Sequence, residues 1–237
     1  MNKLILVKAG TTFSETAARL GDFDHWTLRG LGLSAEQCAV VSVFQDEPLP
    51  PIKQCSGVVI TGAHCMVTDD LPWSLALEQW LPKLVAAGIP ILGVCYGHQL
   101  LARALGGEVG FHPGGKELGT VAVQRLAASN DDPLFNTLPE SFPAHVTHAQ
   151  TVLALPPGAV CLAQNDFEPH HAFRYGKNAW GVQFHPEYDS AIMGEYLRAQ
   201  RSDIETRGGN LSAMLANVSE TPQASSVLRR FAQIAGR

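Results

Sequence analysis

The segment Ile91-Leu-Gly-Val-Cys95-Tyr-Gly97 narrows the possible architectures more than any other, because it turns a strand into a helix at one residue. Upstream, the apolar stretch Ala87-Gly-Ile-Pro-Ile-Leu92 reads as a short, fully buried strand. Downstream, His98-Gln-Leu-Leu-Ala-Arg-Ala-Leu105 has helical apolar spacing and stops at Gly106-Gly107. Gly93 and Gly97 let the backbone pass closely on both sides of a strained residue, which is the logic of a nucleophile elbow with sulfur in place of oxygen. Such an elbow predicts an exposed thiol at the carboxyl end of the strand. The helix amino terminus beneath it favours negative charge and so the thiolate.

The rest of the chain fits a sheet built around that strand. Strands are predicted at about 3–8, at Ala39-Val-Val-Ser-Val-Phe44 and at Gly57–Thr61, with a helical or irregular stretch from Phe13 to Leu33. Pro72 to Ala87 reads as an amphipathic crossover helix closed by Gly88. Strand, crossover and strand alternate, which favours parallel pairing with the active residues at the carboxyl edge. Between 108 and 184 the runs are shorter and bounded by turns, among them His112-Pro-Gly-Gly115, as in an antiparallel extension. Asp189–Arg201 and Leu211–Ala235 read as helices, the latter broken at Pro222. The expected fold is therefore α/β, a three-layer doubly wound and mostly parallel sheet. The expected division is one domain over 1–200 with a helical extension over 201–237 packed on it.

A thiol with a reference pKa of about 8.5 is only slightly ionised at neutral pH and needs a base. Trp180-Gly-Val-Gln-Phe-His185-Pro-Glu187 supplies a candidate, an apolar strand whose end presents an imidazole with a carboxylate two residues on. Pro186 stiffens the link, so Glu187 can accept from one ring nitrogen while the other faces the cysteine. Either residue alone reads as a strand-end histidine or a solvated acid. Together with the elbow they form a far rarer coincidence.

On these residues the chain resembles class I, triad-type glutamine amidotransferases, and within them the glutaminase domain of GMP synthetase and its stand-alone relatives. Gly93-Val-Cys-Tyr-Gly-His-Gln99 and Gly181-Val-Gln-Phe-His-Pro-Glu187 carry the resemblance. Ala104–Val109, Lys116-Glu-Leu-Gly119, Thr147-His-Ala-Gln150 and Ala154-Leu-Pro156 extend it, from about residue 56 to about 190. The resemblance implies a flavodoxin-like fold and hydrolysis of glutamine through a γ-glutamyl thioester on Cys95, with His185 moving protons and Glu187 orienting it. It also implies an oxyanion hole from the backbone N–H of Tyr96 and of the turn Gly62-Ala63, where relatives usually carry Gly-Gly-Pro. Gln99 matches a position that contacts the substrate. The segment with Thr147 and His148 matches one whose backbone holds the α-amino and α-carboxylate ends, usually as Ser-His-Gly-Asp. The changes at Ala149 and Gln150 are consistent with a γ-glutamyl compound other than glutamine, and equally with no change of preference.

Three functions stay open on the sequence. One is a glutaminase whose ammonia goes to a separate synthetase subunit, since the resemblance leaves no room here for a synthetase domain and no P-loop. The second is a γ-glutamyl hydrolase or peptidase. The third is a non-catalytic binding protein on the same scaffold. No cofactor and no metal are expected. Asn165-Asp-Phe-Glu-Pro-His-His171 mixes ligand types but has no metal spacing, and Gly21-Asp-Phe-Asp-His-Trp26 reads as a capped helix with a buried Trp or, alternatively, as an acceptor site. The net charge of −5 argues against nucleic acid and anionic membranes, and no apolar run is long enough to span a bilayer. Five unpaired-looking cysteines, at 38, 55, 65, 95 and 161, point to reduced thiols and the cytoplasm. Cys65 reads as a packed or half-exposed thiol, and Arg229, Arg230 and Arg237 as a solvated helix face.

Overall fold

The computed structural model describes residues 2–236. The chain runs through β1 (Lys3–Lys8), α1 (Ser14–Leu20), α2 (Phe23–Leu31), β2 (Cys38–Ser42), β3 (Cys55–Ile60), α3 (Pro72–Ala86), β4 (Ile91–Val94) and α4 (Tyr96–Ala104). It continues with β5 (Glu108–Phe111), β6 (Glu117–Arg125), β7 (Ser141–His148), β8 (Gln150–Ala154), β9 (Val160–Gln164), β10 (Ala172–Tyr175) and β11 (Ala179–Val182). The helices α5 (Ser190–Ala199), α6 (Arg201–Thr206), α7 (Leu211–Ala216) and α8 (Pro222–Ile234) close it.

Nine strands form one sheet in the order β2-β1-β3-β4-β11-β10-β9-β6-β7. From β2 to β11 every pairing is parallel; from β11 to β7 every pairing is antiparallel. β5 and β8 form a separate antiparallel ribbon. The predicted α/β sheet and its antiparallel extension are both present, and β11 is the strand where one passes into the other. Alternation along β1 shows why there are three layers: Leu4 and Leu6 enter one core, Ile5 and Val7 the other. The first core is capped by Val227, Leu228 and Phe231 of α8, the second by Leu77, Leu81 and Leu84 of α3. A third, smaller cluster joins Phe23 and Trp26 of α2 to Tyr188 and to Met193 and Tyr196 of α5.

Three local expectations need correction. β2 stops at Ser42, and Val43–Gln45 coils into a 3₁₀ turn, so Phe44 is not a strand residue. The helix after the elbow starts at Tyr96, two residues earlier than its apolar spacing suggests, because the cysteine itself is the cap. Arg230 is not free on that face: half-buried, it donates to Pro133 O and, at 2.7 Å, to Asn136 Oδ1, tying α8 to the turn before β7. Arg229 is exposed, and Arg237 lies outside the described residues. Among the described residues, no helix is long and apolar enough to cross a membrane.

Candidate active site

β4 and β11 lie side by side, with Val94 opposite Val182. Both chains therefore leave the sheet at the same carboxyl edge. Cys95 N donates to Val182 O at 2.8 Å, which fixes the start of the elbow to the strand carrying the histidine. Cys95 itself has φ 51° and ψ −100°, a strained conformation for a non-glycine residue. Added Cβ atoms at Gly93 and Gly97 would lie 2.3 Å from Gly97 O and 2.6 Å from Ile60 O, so both flanking positions need glycine for space. The thiol is not exposed as the elbow alone suggests. Cys95 is 6% accessible and sits in a recess, where Sγ donates weakly to Thr147 O at 3.8 Å.

His185 and Glu187 arrive on the loop after β11. His185 N donates to His145 O at 2.8 Å, and its Nδ1 is 2.7 Å from Glu187 Oε1. The ring stacks on Tyr188, with centroids 4.1 Å apart. Its Nε2 is buried without a nitrogen or oxygen partner, on the side of Cys95. Burial alone would push this imidazole down. The Glu187 carboxylate and the Cys95 sulfur outweigh burial and hold it up at about 10. His145 moves the other way, to about 4, because burial and then the nearby His185 charge both disfavour its protonation.

The Gly62-Ala63 turn touches the same pair. A Cβ on Gly62 would sit 3.0 Å from His185 Cε1 and 3.7 Å from Cys95 Cβ, so a side chain here would press on the imidazole. Neither Gly62 nor Ala63 has positive φ, so alanine is unstrained where relatives usually carry a second glycine. Tyr96 opens α4, and its N–H is one of those a helix leaves without an internal acceptor.

Beside the sulfur the polar groups are committed to one another. Gln99 Nε2 donates to Gln150 O at 2.7 Å and to Gln183 Oε1 at 2.9 Å. Gln150 accepts from Val67 N at 3.1 Å and donates to Thr68 Oγ1 at 2.6 Å, so its side chain braces the loop after the Gly62-Ala63 turn. Thr147 offers the carbonyl described above. His148 lines the cavity, and its two ring nitrogens face Gln150 O and Glu117 Oε2, both at 2.9 Å. Burial would raise the Glu117 carboxyl, but bonds from His148, His171 and Asn165 hold it well below the usual range. The Asn165–His171 stretch thus belongs to a buried hydrogen-bond network. Among the described residues, no group of His, Cys, Asp or Glu is arranged to hold a metal ion.

Cys95, Tyr96, Ala63, Gln99 and His185 all line one cavity of about 720 Å³. Cys65 lines it too, with its thiol pushed up to about 11 by burial and by Asp69. The 21–26 segment behaves as a capped helix. Asp22 accepts from Phe23 N, Trp26 is buried with Nε1 on Leu20 O, and His25 points to solvent. Its neighbour Phe23 does reach the cavity. Sequence reasoning missed Gln183, Tyr188 and Gln200 in this neighbourhood. Gln183 had a signal, a polar residue inside the apolar run Trp180–Phe184; Gln200, at the distant junction of α5 and α6, had none.

Residues 22–201 match the family described as glutamine amidotransferase class-I. A glutamine-hydrolyzing GMP synthase subunit of Archaeoglobus fulgidus is 32% identical over 174 residues, 73% of this chain and 86% of that one. γ-Glutamyl peptidase 5 of Arabidopsis thaliana is 29% identical over 199 residues, 82% of this chain and 78% of that one. The chain spans only 19% to 36% of the GMP synthases of Thermomicrobium roseum, Aeropyrum pernix and Parafrankia sp. that it matches. A crystal structure of a glutamine amidotransferase from Thermotoga maritima has the same fold, with TM-score 0.79, 22% identity and 99% and 98% of the two chains covered. The chain belongs to the class-I glutamine amidotransferase family.

Proposed function

We propose that this member of the class-I family hydrolyses the γ-amide bond of a γ-glutamyl compound, glutamine being the simplest, through a thioester on Cys95. One observation carries the reading: His185 bonds Glu187 at 2.7 Å with its other nitrogen turned to Cys95, against the Gly62-Ala63 turn. The sulfur attacks the γ-carbonyl carbon, and its proton passes to His185 Nε2. An imidazolium beside the sulfur stabilises the thiolate that makes this attack. The N–H groups of Tyr96 and Ala63 bind the oxygen that becomes negative. His185 gives its proton to the departing nitrogen, and the C–N bond breaks. Water then attacks the thioester, loses a proton to His185, and releases glutamate and the free thiol. Glu187 keeps the imidazole in one orientation throughout.

With glutamine as substrate the leaving group is ammonia, and a separate synthetase subunit is its expected acceptor. The similarity to the Archaeoglobus fulgidus GMP synthase subunit supports this reading. A second reading, a γ-glutamyl peptidase, is favoured by the cavity, which is far larger than a glutamine side chain needs. Glutamate release from glutamine and from γ-glutamyl dipeptides by the purified chain separates the two. Release from neither, at a level above Cys95→Ser, would overturn both.

A further inference from the structure

The cavity continues past the sulfur to a wall built from the residue before β6 and from α5, α6 and the residues flanking them. Gln99 and the 147–150 backbone stand beside the sulfur and account for the glutamyl end of a substrate. The remote wall carries Lys116, Gln200, Asp203 and Arg207. Lys116 Nζ donates to Gln200 Oε1 and lies 3.2 Å from Asp203 Oδ2. Arg207 Nε donates to Asp203 Oδ1 at 2.8 Å. Among the described residues lining the cavity, Lys116, Asp203 and Arg207 are the charged side chains other than histidine. One carboxylate thus serves two cations, and the wall keeps a net positive charge.

The wall is also held in register with the sulfur. Gln200 Nε2 donates to Thr147 Oγ1 at 3.3 Å, and Thr147 O is the acceptor for Cys95 Sγ. Lys116 is therefore linked to the reacting atom through two residues. Further cavity surface is aromatic: Phe13 packs on His64 at 4.4 Å and on Tyr196 at 5.2 Å. Flat apolar surface together with a cationic wall suits a substituent with an apolar body and an anionic end.

We propose that this wall is the leaving-group subsite, and that it binds the carboxylate of an amino acid joined through its nitrogen to the γ-glutamyl group. The inference rests on the γ-glutamyl chemistry proposed above and names the substrate class of that same site. Hydrolysis then adds water across the amide: hydroxyl to the glutamyl carbon, hydrogen to the nitrogen of the departing amino acid. Lys116 and Arg207 hold the carboxylate of that amino acid while its nitrogen collects the proton from His185.

The test compares kcat/KM for γ-glutamyl-alanine and γ-glutamyl-alaninamide, which differ in the carboxylate and little in size. The wild type should prefer the free acid by about tenfold, the effect of one charge-assisted hydrogen bond at a partly exposed site. Arg207→Gln should bring that ratio towards one, and Arg207→Glu should invert it. Arg207 is exposed just beyond α6, so these variants keep the fold, and a thermal melt checks that. A wild type that cleaves both compounds equally, or a preference that survives Arg207→Glu, overturns the subsite and leaves the Cys95 chemistry standing. A wild type no better than Cys95→Ser on either compound and on glutamine overturns that chemistry, and the subsite with it.

Discussion

The carboxyl edge of the sheet and the helical wall facing it are held by different kinds of force. At the edge, backbone bonds do the positioning. Cys95 N is fixed to Val182 O and His185 N to His145 O, both at 2.8 Å, amid strands that are fully buried. Across the cavity, α1, α2, α5 and α6 are joined by side chains. Arg19 meets Glu195 at 2.7 Å and Arg29 meets Asp189 at 2.9 Å, both with exposed arginines. Exposed pairs of this kind contribute about 1 kcal/mol or less. The proposed reaction therefore sits on a ladder that cannot slip by less than a register, and the proposed recognition on helices held by side-chain packing, such as the Phe23, Trp26, Tyr188 and Tyr196 cluster, and by exposed pairs. Substitutions at the edge should damage rate, and substitutions in the wall should damage choice of substrate.

The largest effect is expected at the sulfur. Cys95→Ser should lower turnover roughly 10⁴- to 10⁶-fold, by analogy with loss of other covalent nucleophiles, while stability stays within about 1 kcal/mol. Single-turnover assays with a γ-glutamyl anilide, beside a thermal melt, check both halves. Full activity in the serine variant would break the comparison at its first step.

Glu187→Gln should cost roughly 10² to 10⁴-fold, less than loss of the nucleophile, because orientation is disturbed and the sulfur remains. It also has a pH signature. The folded-state value of His185, about 10, lies above its ordinary value near 6.5. The stability this adds is complete below about pH 6.5 and is lost as pH rises through about 10. Removing the Glu187 charge should shrink that contribution and move the alkaline limb of kcat/KM to lower pH. Melting curves and rate profiles from pH 6 to 10 measure it. Superimposable profiles for the two proteins would show that Glu187 does not set the charge of His185.

Gly62→Ala tests the edge without removing a titrating group. The new methyl would lie 3.0 Å from His185 Cε1, so the ring must give by a few tenths of an ångström. Small displacements of reacting groups are costly, and kcat should fall about 10- to 100-fold with KM changed much less. An unchanged kcat would mean that the imidazole has slack, and that the edge is no stiffer than the wall.

What was legible in the sequence follows the same division. Cys95, His185 and Glu187 could be found because each stands at the end of an apolar strand, and strand periodicity is a local signal. Gly93 and Gly97 could be found because one elbow contains both. The helical wall was not legible, since Lys116, Gln200 and Arg207 meet only through tertiary packing across 84 residues or more. The role expected for Gln150 could not be refined either. Its capacity to donate and accept is a property of the residue, but only the fold shows both spent on Val67 and Thr68. The ring of His148, which turns inward to Glu117 while the residue lines the cavity, was hidden for the same reason.

The smallest effect, and the one that sharpens the comparison most, is expected from Tyr196→Phe. Tyr196 Oη shares a hydrogen bond with Thr12 Oγ1 at 2.7 Å and another with His64 Nε2 at 3.2 Å, so one hydroxyl links α5 to the segment before α1 and to the loop after the Gly62-Ala63 turn. Phenylalanine keeps the ring and its packing on Phe13 and Tyr188. What it removes is the link, leaving the buried Thr12 hydroxyl without that partner, for about 1 kcal/mol of stability. If the wall governs selection, KM for γ-glutamyl dipeptides should rise a few-fold while kcat for glutamine changes less than twofold, because no backbone bond at the sheet edge depends on this oxygen. Steady-state kinetics on the two substrates decide it. A fall in kcat as large as that of Gly62→Ala would instead mean that His64 transmits the position of the wall to the adjoining Gly62-Ala63 turn, and the two regions would then act as one unit.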